Sequence, residues 1–116
     1  MDTKDKYLYD AELIRVIDGD TVDAWIDLGF SITVRRRIRL WGINAPETRT
    51  LDLAEKAEGI IAKDRLVEIL DLNRGQFMVR SQGVDKYGRC LGEIYIQDVN
   101  INKQLLNEGV VGVYDV

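Results

Sequence analysis

The stretch that decides the fold is VRRRIRLWGINAPET, residues 34–48. Its first half alternates as a β-strand does, because Ile38 and Leu40 suit a core while the arginines between and before them suit a polar surface or an anion. Its second half ends the strand with a glycine and the only proline of the chain. This half brings Asn44 and Glu47 within one turn of the arginine strand. The stretch therefore predicts a strand that runs into a polar turn, with a carboxylate, an amide and a guanidinium close together.

The composition limits the possible chemistry. The chain has 116 residues, which is enough for one domain with its own core. It contains no histidine, which excludes Ser–His–Asp and Cys–His catalysis and histidine-based zinc sites. Cys90 is the only cysteine, so an internal disulfide is excluded. Any reaction must then depend on carboxylates, amides, Arg, Lys, Tyr or a hard metal ion.

The N-terminal residues MDTKDKYLYD are polar and lack the apolar core of a secretory signal. No apolar run reaches the roughly 18–20 residues that a transmembrane helix needs. We therefore expect a cytoplasmic protein that does not associate with a membrane. We also expect a monomer with a single domain over residues 1–116, of which residues 1–6 form a disordered tail.

The net charge of −4 is unusual for a protein that binds nucleic acid through its phosphates. The positive charge is clustered, however, and a local field can matter more than net charge in a cleft. The two basic groups are Arg35, Arg36, Arg37 and Arg39, and Arg80, Lys86 and Arg89. The sequence thus predicts weak, salt-sensitive affinity for long nucleic acid.

Patterns on either side of this stretch give the remaining elements. Strands are predicted at residues 7–18, 21–29, 32–41, 76–81 and 90–96, helices at 53–70 and 101–107, and an extended tail at 110–116. The apolar face of the first helix is predicted to contain Ala54, Ala57, Ile60, Ile61, Leu66, Ile69 and Leu70. The order β-β-β-α-β-β-α predicts a mainly β (α+β) fold. It matches the five-stranded Greek-key barrel of the OB-fold, with a helix between strands 3 and 4 and a short C-terminal helix.

Polar residues that could act together are separated in the sequence. They form three groups: Asp18, Asp20 and Thr21; Arg39, Asn44 and Glu47; and residues 85–89, DKYGR. Hard divalent cations prefer carboxylate, amide and backbone oxygens. Phosphoryl transfer needs cationic groups on the non-bridging oxygens and a group that positions water, and paired arginines suit a phosphate. Together the three groups contain every part that such a site needs.

Four motifs resemble the staphylococcal nuclease (thermonuclease) family, in the family's order and at similar spacing. They are IDGDTV at 17–22, RIRLWGINAPET at 37–48, DKYGR at 85–89 and NKQLLNEGVVGVY at 102–114. The resemblance implies an OB-fold and a calcium-dependent phosphodiesterase that hydrolyses DNA and RNA at the P–O5′ bond, leaving 3′-phosphates. It implies Ca²⁺ as the cofactor, with Mg²⁺ or Mn²⁺ as alternatives.

The resemblance also assigns roles to matching residues. Asp20 would be a metal ligand, together with the backbone carbonyl of Ala45. Arg39 and Arg89 would bind the scissile phosphate and its transition state. Glu47 would act on the attacking water, as a general base or by orienting it.

Further roles concern the substrate and one departure from the family. Lys86 and Tyr87 would flank the nucleotide, and Tyr114 is a further possible contact. Asn44 stands where the family has an aspartate ligand, so weaker metal binding is expected. The longest family members carry a further C-terminal helix, and this chain would lack it.

Other interpretations remain open. A nuclease-like module that binds nucleic acid without turnover is favoured by Asn44 and opposed by the intact carboxylates and arginines. An OB-fold protein-interaction module would leave these polar groups unexplained. The run of residues 35–37 fits a solvated strand face better than substrate contact, and Trp25 and Trp41 fit packing better than base stacking.

Overall fold

The computed structural model describes residues 7–114; the predicted tail at 1–6 lies outside the described residues. The strands are β1 (Leu8–Asp18), β2 (Thr21–Asp27), β3 (Thr33–Leu40), β4 (Ile43–Asn44), β5 (Gln76–Val84), β6 (Cys90–Ile96), β7 (Val99–Asn100) and β8 (Gly112–Val113). The helices are α1 (Leu53–Leu72) and α2 (Ile101–Asn107). None of the helices within 7–114 is long and apolar enough to cross a membrane.

Five strands close into a barrel, which confirms the predicted OB-type α+β fold. They pair in the order β3-β2-β1-β5-β6, and β3 pairs in turn with β6. This last pairing is parallel and joins residues 38–40 to residues 90–92, whereas the other pairings are antiparallel. Side chains of the strands and both helices fill the interior; the fully buried ones include Val22, Ile38, Leu40, Leu66, Leu70, Ile94 and Leu105.

Gly92 lies where the barrel closes, paired with Leu40 on one side and Ser81 on the other. A Cβ at this position would lie 2.6 Å from Cγ2 of Val79 and 3.2 Å from Cγ2 of Ile38. Such distances are shorter than close packing permits. Closure of the barrel therefore depends on a residue without a side chain.

The predicted apolar face of α1 is correct in the second half of the helix and wrong in the first. Leu66, Ile69 and Leu70 are buried, but the predicted residues Ala54, Ala57, Ile60 and Ile61 are exposed. Gly59 and Ala62 are buried instead. The helix approaches loop backbone there, so the face that fits is the one with the smallest side chains.

Two short pairings were not predicted. β4 pairs with β8, so that Ile43 lies opposite Val113 and Asn44 opposite Gly112. The backbone N–H of Tyr114 also donates to the carbonyl of Gly42 at 3.0 Å. β7 pairs with the end of β6. Residues 112–114 of the predicted extended tail are thus held against the polar turn that follows β3, and residues 115–116 lie outside the described residues.

Strand limits also differ from the prediction. β2 ends at Asp27 rather than at residue 29, because a turn with positive φ at Gly29, Phe30 and Ser31 follows it. β5 continues to Val84 because the hairpin with β6 extends through an irregularity between Ser81 and Gly83.

Three arginines surround one buried carboxylate on the outer face of β1, β2 and β3; we call Arg15, Arg35 and Arg37 the arginine cluster. Asp23, at their centre, accepts hydrogen bonds from Nε of Arg15 at 3.0 Å and from Nε and Nη2 of Arg37 at 2.9 and 3.2 Å. Nη2 of Arg35 lies 3.8 Å from the same carboxylate. The hydrogen bond from Arg37 is the main cause that lowers the pKa of Asp23 to about 2; burial opposes it and Arg15 adds to it.

This lowered pKa predicts an acid-dependent loss of stability. In Asp23→Asn, we expect the free energy of unfolding to fall by about 1–2 kcal/mol at neutral pH, a value that allows for solvent screening of the half-exposed arginines. Because the folded-state pKa is below the ordinary value of 3.8, the advantage of the wild type is complete above about pH 4 and is lost as the pH falls towards about 2. Urea unfolding at several pH values measures the difference. Asp10→Asn, an exposed change on β1, is the control, and equal pH profiles for both variants would contradict the prediction.

Candidate active site

A pocket of 380 Å³ lies beside the turn after β3 and collects residues from distant parts of the chain. Its polar lining residues are Asp18, Asp20, Thr21, Arg39, Asn44, Glu47, Asp85, Lys86, Arg89, Tyr87 and Tyr114. Every residue predicted for the site lines this pocket except Ala45. Ala45 is buried next to it, where its backbone N–H donates to Oδ2 of Asp20 at 2.8 Å.

Asp20 joins the β1–β2 turn to the loop after β4. Its backbone carbonyl accepts from the N–H of Leu40 at 2.7 Å. Its Oδ1 accepts from the hydroxyl of Thr21 at 2.8 Å, and its Oδ2 lies 3.4 Å from Nη2 of Arg39 in addition to the bond from Ala45. The carboxylate is therefore buried and fixed in orientation, and each oxygen still has a lone pair for a further partner.

Arg39 is held by acceptors of its own strand and of the following turn. Nη1 donates to the carbonyls of Leu40 and Ile43 at 3.0 and 2.8 Å, and Nη2 donates to Oδ1 of Asn44 at 3.0 Å. The guanidinium carbon lies 5.5 Å from the ring centre of Tyr114. Within residues 7–114, no hydrogen bond occupies its Nε. The positive charge is thus positioned in advance, with one donor left for an anion.

The hydrogen bonding of Asn44 makes it a weaker candidate ligand for a cation than an aspartate would be. Its oxygen already accepts a hydrogen bond from Arg39. A neutral amide oxygen with one lone pair engaged is a weaker cation ligand than a carboxylate. No cluster of three or more His, Cys, Asp or Glu side chains that could hold a metal occurs within residues 7–114.

The oxygen donors present still fit a hard cation chemically. Asp20 offers a carboxylate, Asn44 an amide oxygen and Ala45 a backbone carbonyl. These are the donor types that Ca²⁺ and Mg²⁺ accept, with water completing the coordination. A bound cation would therefore rest on one protein carboxylate, so its affinity is expected to be low.

Arg89 is positioned by Asp85, a residue of the DKYGR motif for which sequence reasoning gave no role. The Nε of Arg89 donates to Oδ2 of Asp85 at 2.7 Å, and the backbone N–H groups of Arg89 and Tyr87 donate to Oδ1. Partial burial raises the pKa of Asp85, but these hydrogen bonds together outweigh it and lower the pKa. The spacing of four residues between a carboxylate and an arginine across a glycine turn was the signal that could have identified this role.

The ring of Tyr87 lies close to two cations. The guanidinium carbon of Arg89 is 5.4 Å from its ring centre, and Nζ of Lys86 is 5.2 Å from it. Cations at this distance are attracted by the negative face of the ring. The turn thus carries a net positive charge at the pocket, and the two η nitrogens of Arg89 make no hydrogen bond to residues 7–114.

Glu47 lies in an exposed loop whose backbone packs against α1. Its carboxylate accepts no hydrogen bond from residues 7–114, which leaves it available to a water molecule.

The loop that carries Glu47 is held by two contacts. The hydroxyl of Thr48 donates to Oδ1 of Asp18 at 2.7 Å, so Asp18 connects the loop to the β1–β2 turn. A Cβ on Gly59 would lie 2.7 Å from the carbonyl oxygen of Pro46 and 2.8 Å from that of Glu47. Gly59 therefore sets how closely α1 approaches this loop.

Comparison with known proteins gives consistent matches. A family model described as "Staphylococcal nuclease homologue" matches residues 37–116. The chain is 33% identical over 112 residues to "Micrococcal nuclease" of Shigella flexneri, covering 89% of this chain and 57% of the relative. It is 31% identical over 109 residues to "Endonuclease YncB" of Bacillus subtilis, covering 93% and 49%. It is 31% identical over 96 residues to "Thermonuclease" of Staphylococcus intermedius, covering 83% and 54%. The chain thus spans about half the length of these relatives.

The close approach of α1 predicts an unusual effect of Gly59→Ala. In an exposed helix this change stabilises by about 1 kcal/mol. Here we expect it to destabilise by about 1–3 kcal/mol, because the methyl group must displace the backbone of residues 46 and 47. Urea unfolding measures the free energy, and the amide chemical shifts of Glu47 and Thr48 report the displacement. Ala57→Gly, which weakens the same helix at an exposed position, should lower stability without moving those shifts. Stabilisation by Gly59→Ala would show that the contact is not restrictive.

Proposed function

This chain belongs to the staphylococcal nuclease family, and on that premise we propose that it is a divalent-cation-dependent nuclease that hydrolyses phosphodiester bonds of DNA or RNA, with Ca²⁺ as its cation. The observation that carries the proposal is the convergence of Asp20, Arg39, Glu47 and Arg89 on one pocket. These residues are distant in sequence and are not needed together to fill a core. Their common feature is the chemistry of phosphoryl transfer.

The two arginines account for recognition of the phosphate. Arg39 offers its Nε, and Arg89 offers both η nitrogens, while the remaining donors hold the two groups in place. A phosphodiester between them would receive charge-assisted hydrogen bonds on its non-bridging oxygens. Those bonds strengthen as negative charge increases in the transition state, so they favour it over the ground state.

Glu47 accounts for the proton. Its carboxylate has no competing partner among residues 7–114 and can accept a hydrogen bond from a water on the far side of the phosphorus from the leaving oxygen. Attack of that water forms the new P–O bond and breaks the P–O5′ bond, and the departing O5′ takes up a proton from solvent. Its proton passes to Glu47 or to solvent oriented by it.

Asp20, Asn44 and the carbonyl of Ala45 are the residues that would hold the cation. When bound, it supplies additional positive charge at the phosphate and helps to orient water. Asp20 is fixed for this role by its bonds from Thr21 and Ala45. The amide oxygen of Asn44 would complete this set of ligands, and it already accepts a hydrogen bond from Arg39.

One observation favours a second candidate, a domain that binds nucleic acid with little turnover. Asn44 removes a negative charge from the proposed cation site, and its amide oxygen is already bonded to Arg39. Binding by the arginines does not need the cation, whereas hydrolysis does. The two candidates therefore differ in whether bound nucleic acid is cleaved.

Substitution of Glu47 tests the catalytic proposal. Glu47→Gln should lower the rate of cleavage of plasmid DNA and single-stranded RNA by about 10²–10⁴-fold, because the amide cannot accept the proton. Cleavage by the wild type should require Ca²⁺ and stop in EDTA. Gel analysis of the products in Ca²⁺, Mg²⁺ or EDTA measures both effects. Glu58→Gln, an exposed change on α1, is the control. Equal rates for the wild type and Glu47→Gln would rule out this mechanism, and binding without cleavage by the wild type would favour the second candidate.

Substitution of Asn44 tests the cation site. Asn44→Asp should tighten Ca²⁺ binding by a factor of about ten or more, because affinity follows the number of charged ligands. Isothermal titration calorimetry gives the dissociation constants. Asn107→Asp makes the same charge change at an exposed position of α2 and should leave them unaltered. If Asn44→Asp also leaves them unaltered, Asn44 lies outside the metal shell.

A further inference from the structure

The outer face of the barrel continues from Arg39, at the edge of the pocket, along β2 and β3. Along β2 and β3, the register pairs Thr21 with Arg39, then Asp23 with Arg37, then Trp25 with Arg35. Thr21 and Arg39 line the pocket, and the next two pairs lie beyond it on the same face. Alternate residues of a strand are about 7 Å apart, so the backbone positions of Arg39, Arg37 and Arg35 follow one another in steps of that size. The guanidinium groups of Arg35 and Arg37 both turn towards Asp23.

The arginine cluster has more positive charge than its carboxylate requires. Arg37 alone contacts both oxygens of Asp23, and Arg15 and Arg35 are added to a group that is already paired. With one negative and three positive charges, the cluster has a local excess of positive charge in a chain whose net charge is −4. A cluster that served only to balance a buried carboxylate would need one arginine.

The cluster also retains donors that face solvent. The side chains of Arg15, Arg35 and Arg37 are 58%, 55% and 47% exposed, although Asp23 beneath them is buried. Both η nitrogens of Arg15 and Nη1 of Arg37 make no hydrogen bond to residues 7–114. Asp23 therefore fixes the guanidinium groups from below and leaves their outer edges available to an anion.

An exposed aromatic ring stands at the far end of the cluster. Trp25 is 46% exposed and lies between Glu12 on β1 and Arg35 on β3. An aromatic face next to a row of cations is the arrangement with which proteins hold single-stranded nucleic acid by stacking and phosphate contact. The surface becomes acidic at Trp25, because this residue lines a pocket together with Asp10, Glu12 and Asp27. The excess of positive charge is thus limited to the part of this face between the pocket and Trp25.

We infer that the arginine cluster and Trp25 form a second subsite, which binds the phosphates and a base of single-stranded nucleic acid to one side of the phosphate held by Arg39. This inference rests on the proposed function for its ligand. The acidic end at Glu12 and Asp27 directs the strand away from the barrel, so the subsite accepts a short flanking segment. It adds affinity for polynucleotides over dinucleotides.

The test is equilibrium binding of single-stranded oligonucleotides in EDTA, measured by fluorescence anisotropy over a range of salt concentrations. The probes are a fluorescent oligonucleotide of about 16 residues, the upper site size of an OB-fold, and a dinucleotide. In Arg15→Gln/Arg35→Gln, which keeps the Arg37–Asp23 pair, we expect affinity for the long probe to fall at least about tenfold. The slope of log K against log salt should become shallower by about 1.4, the value for two lost phosphate contacts on a single strand.

Two variants make the result specific. Arg36→Gln removes one positive charge from a neighbouring residue, which pairs with buried Ala24 and so lies on the other face of β3. Affinity should change by less than about threefold, through long-range electrostatics alone. Trp25→Leu should weaken the long probe about tenfold with an unchanged salt slope, because stacking involves no counterion release. Thermal melts verify that each variant is folded.

The outcomes separate this inference from the proposed function. Equal losses of affinity in the double variant and Arg36→Gln would overturn the subsite, whatever the wild type does in the cleavage assay. An equal loss for the dinucleotide and the long probe would also overturn it, because the dinucleotide does not reach the cluster. Since binding in EDTA needs no turnover, an inactive wild type would refute the nuclease proposal and leave this comparison valid.

Discussion

The parallel pairing of β3 with β6 joins residues 38–40 to residues 90–92, and the site is assembled around it. It places Arg39 opposite Leu91, two residues after Arg89, so both arginines reach one pocket although fifty residues of sequence separate their strands. The pairing is short and depends on Gly92, where Val79 and Ile38 leave no room for a side chain. Loss of this contact would open the barrel and separate the two arginines.

The buried side-chain amide of Asn102, on α2, stabilises the closure of the barrel. Asn102 accepts from the N–H of Ile94 at 3.1 Å and donates to the carbonyls of Trp41 and Gly92 at 2.9 and 3.1 Å. Burial of a polar side chain is unfavourable unless its groups are paired, and here both the oxygen and the nitrogen are. The amide thus connects α2 with β6 and with the residue that follows β3. Its role depends on groups that are distant in sequence, and nothing in the local pattern around residue 102 indicates it.

The sequence predicted local features of the structure, but it did not predict contacts between distant segments of the chain. Alternation along residues 34–41 predicted β3 and its two faces, because the period of a strand is a local property. The motifs identified the polar residues of the pocket. The pairing of β4 with β8, the role of Asp85 and the close contact of Gly59 were not predicted, since each depends on which backbone segments meet. The solvated face expected for residues 35–37 is exposed, but Asp23 organises two of its arginines into a cluster that the sequence pattern alone did not reveal.

The turn at residues 85–89 has one further consequence. Among the described residues, its hydrogen bonds run within the turn: Asp85 N–H to the carbonyl of Arg89, Gly88 N–H to the carbonyl of Asp85, and the three donors that meet the Asp85 carboxylate. Displacement of the whole turn by bending of the β5–β6 hairpin therefore breaks none of them. Asp20, in contrast, is bonded to two other segments, β3 and the loop after β4, and cannot move without them. The pocket consequently has one stiff wall and one compliant wall, and its width can adapt to a bound strand while Arg89 keeps its orientation within the moving part.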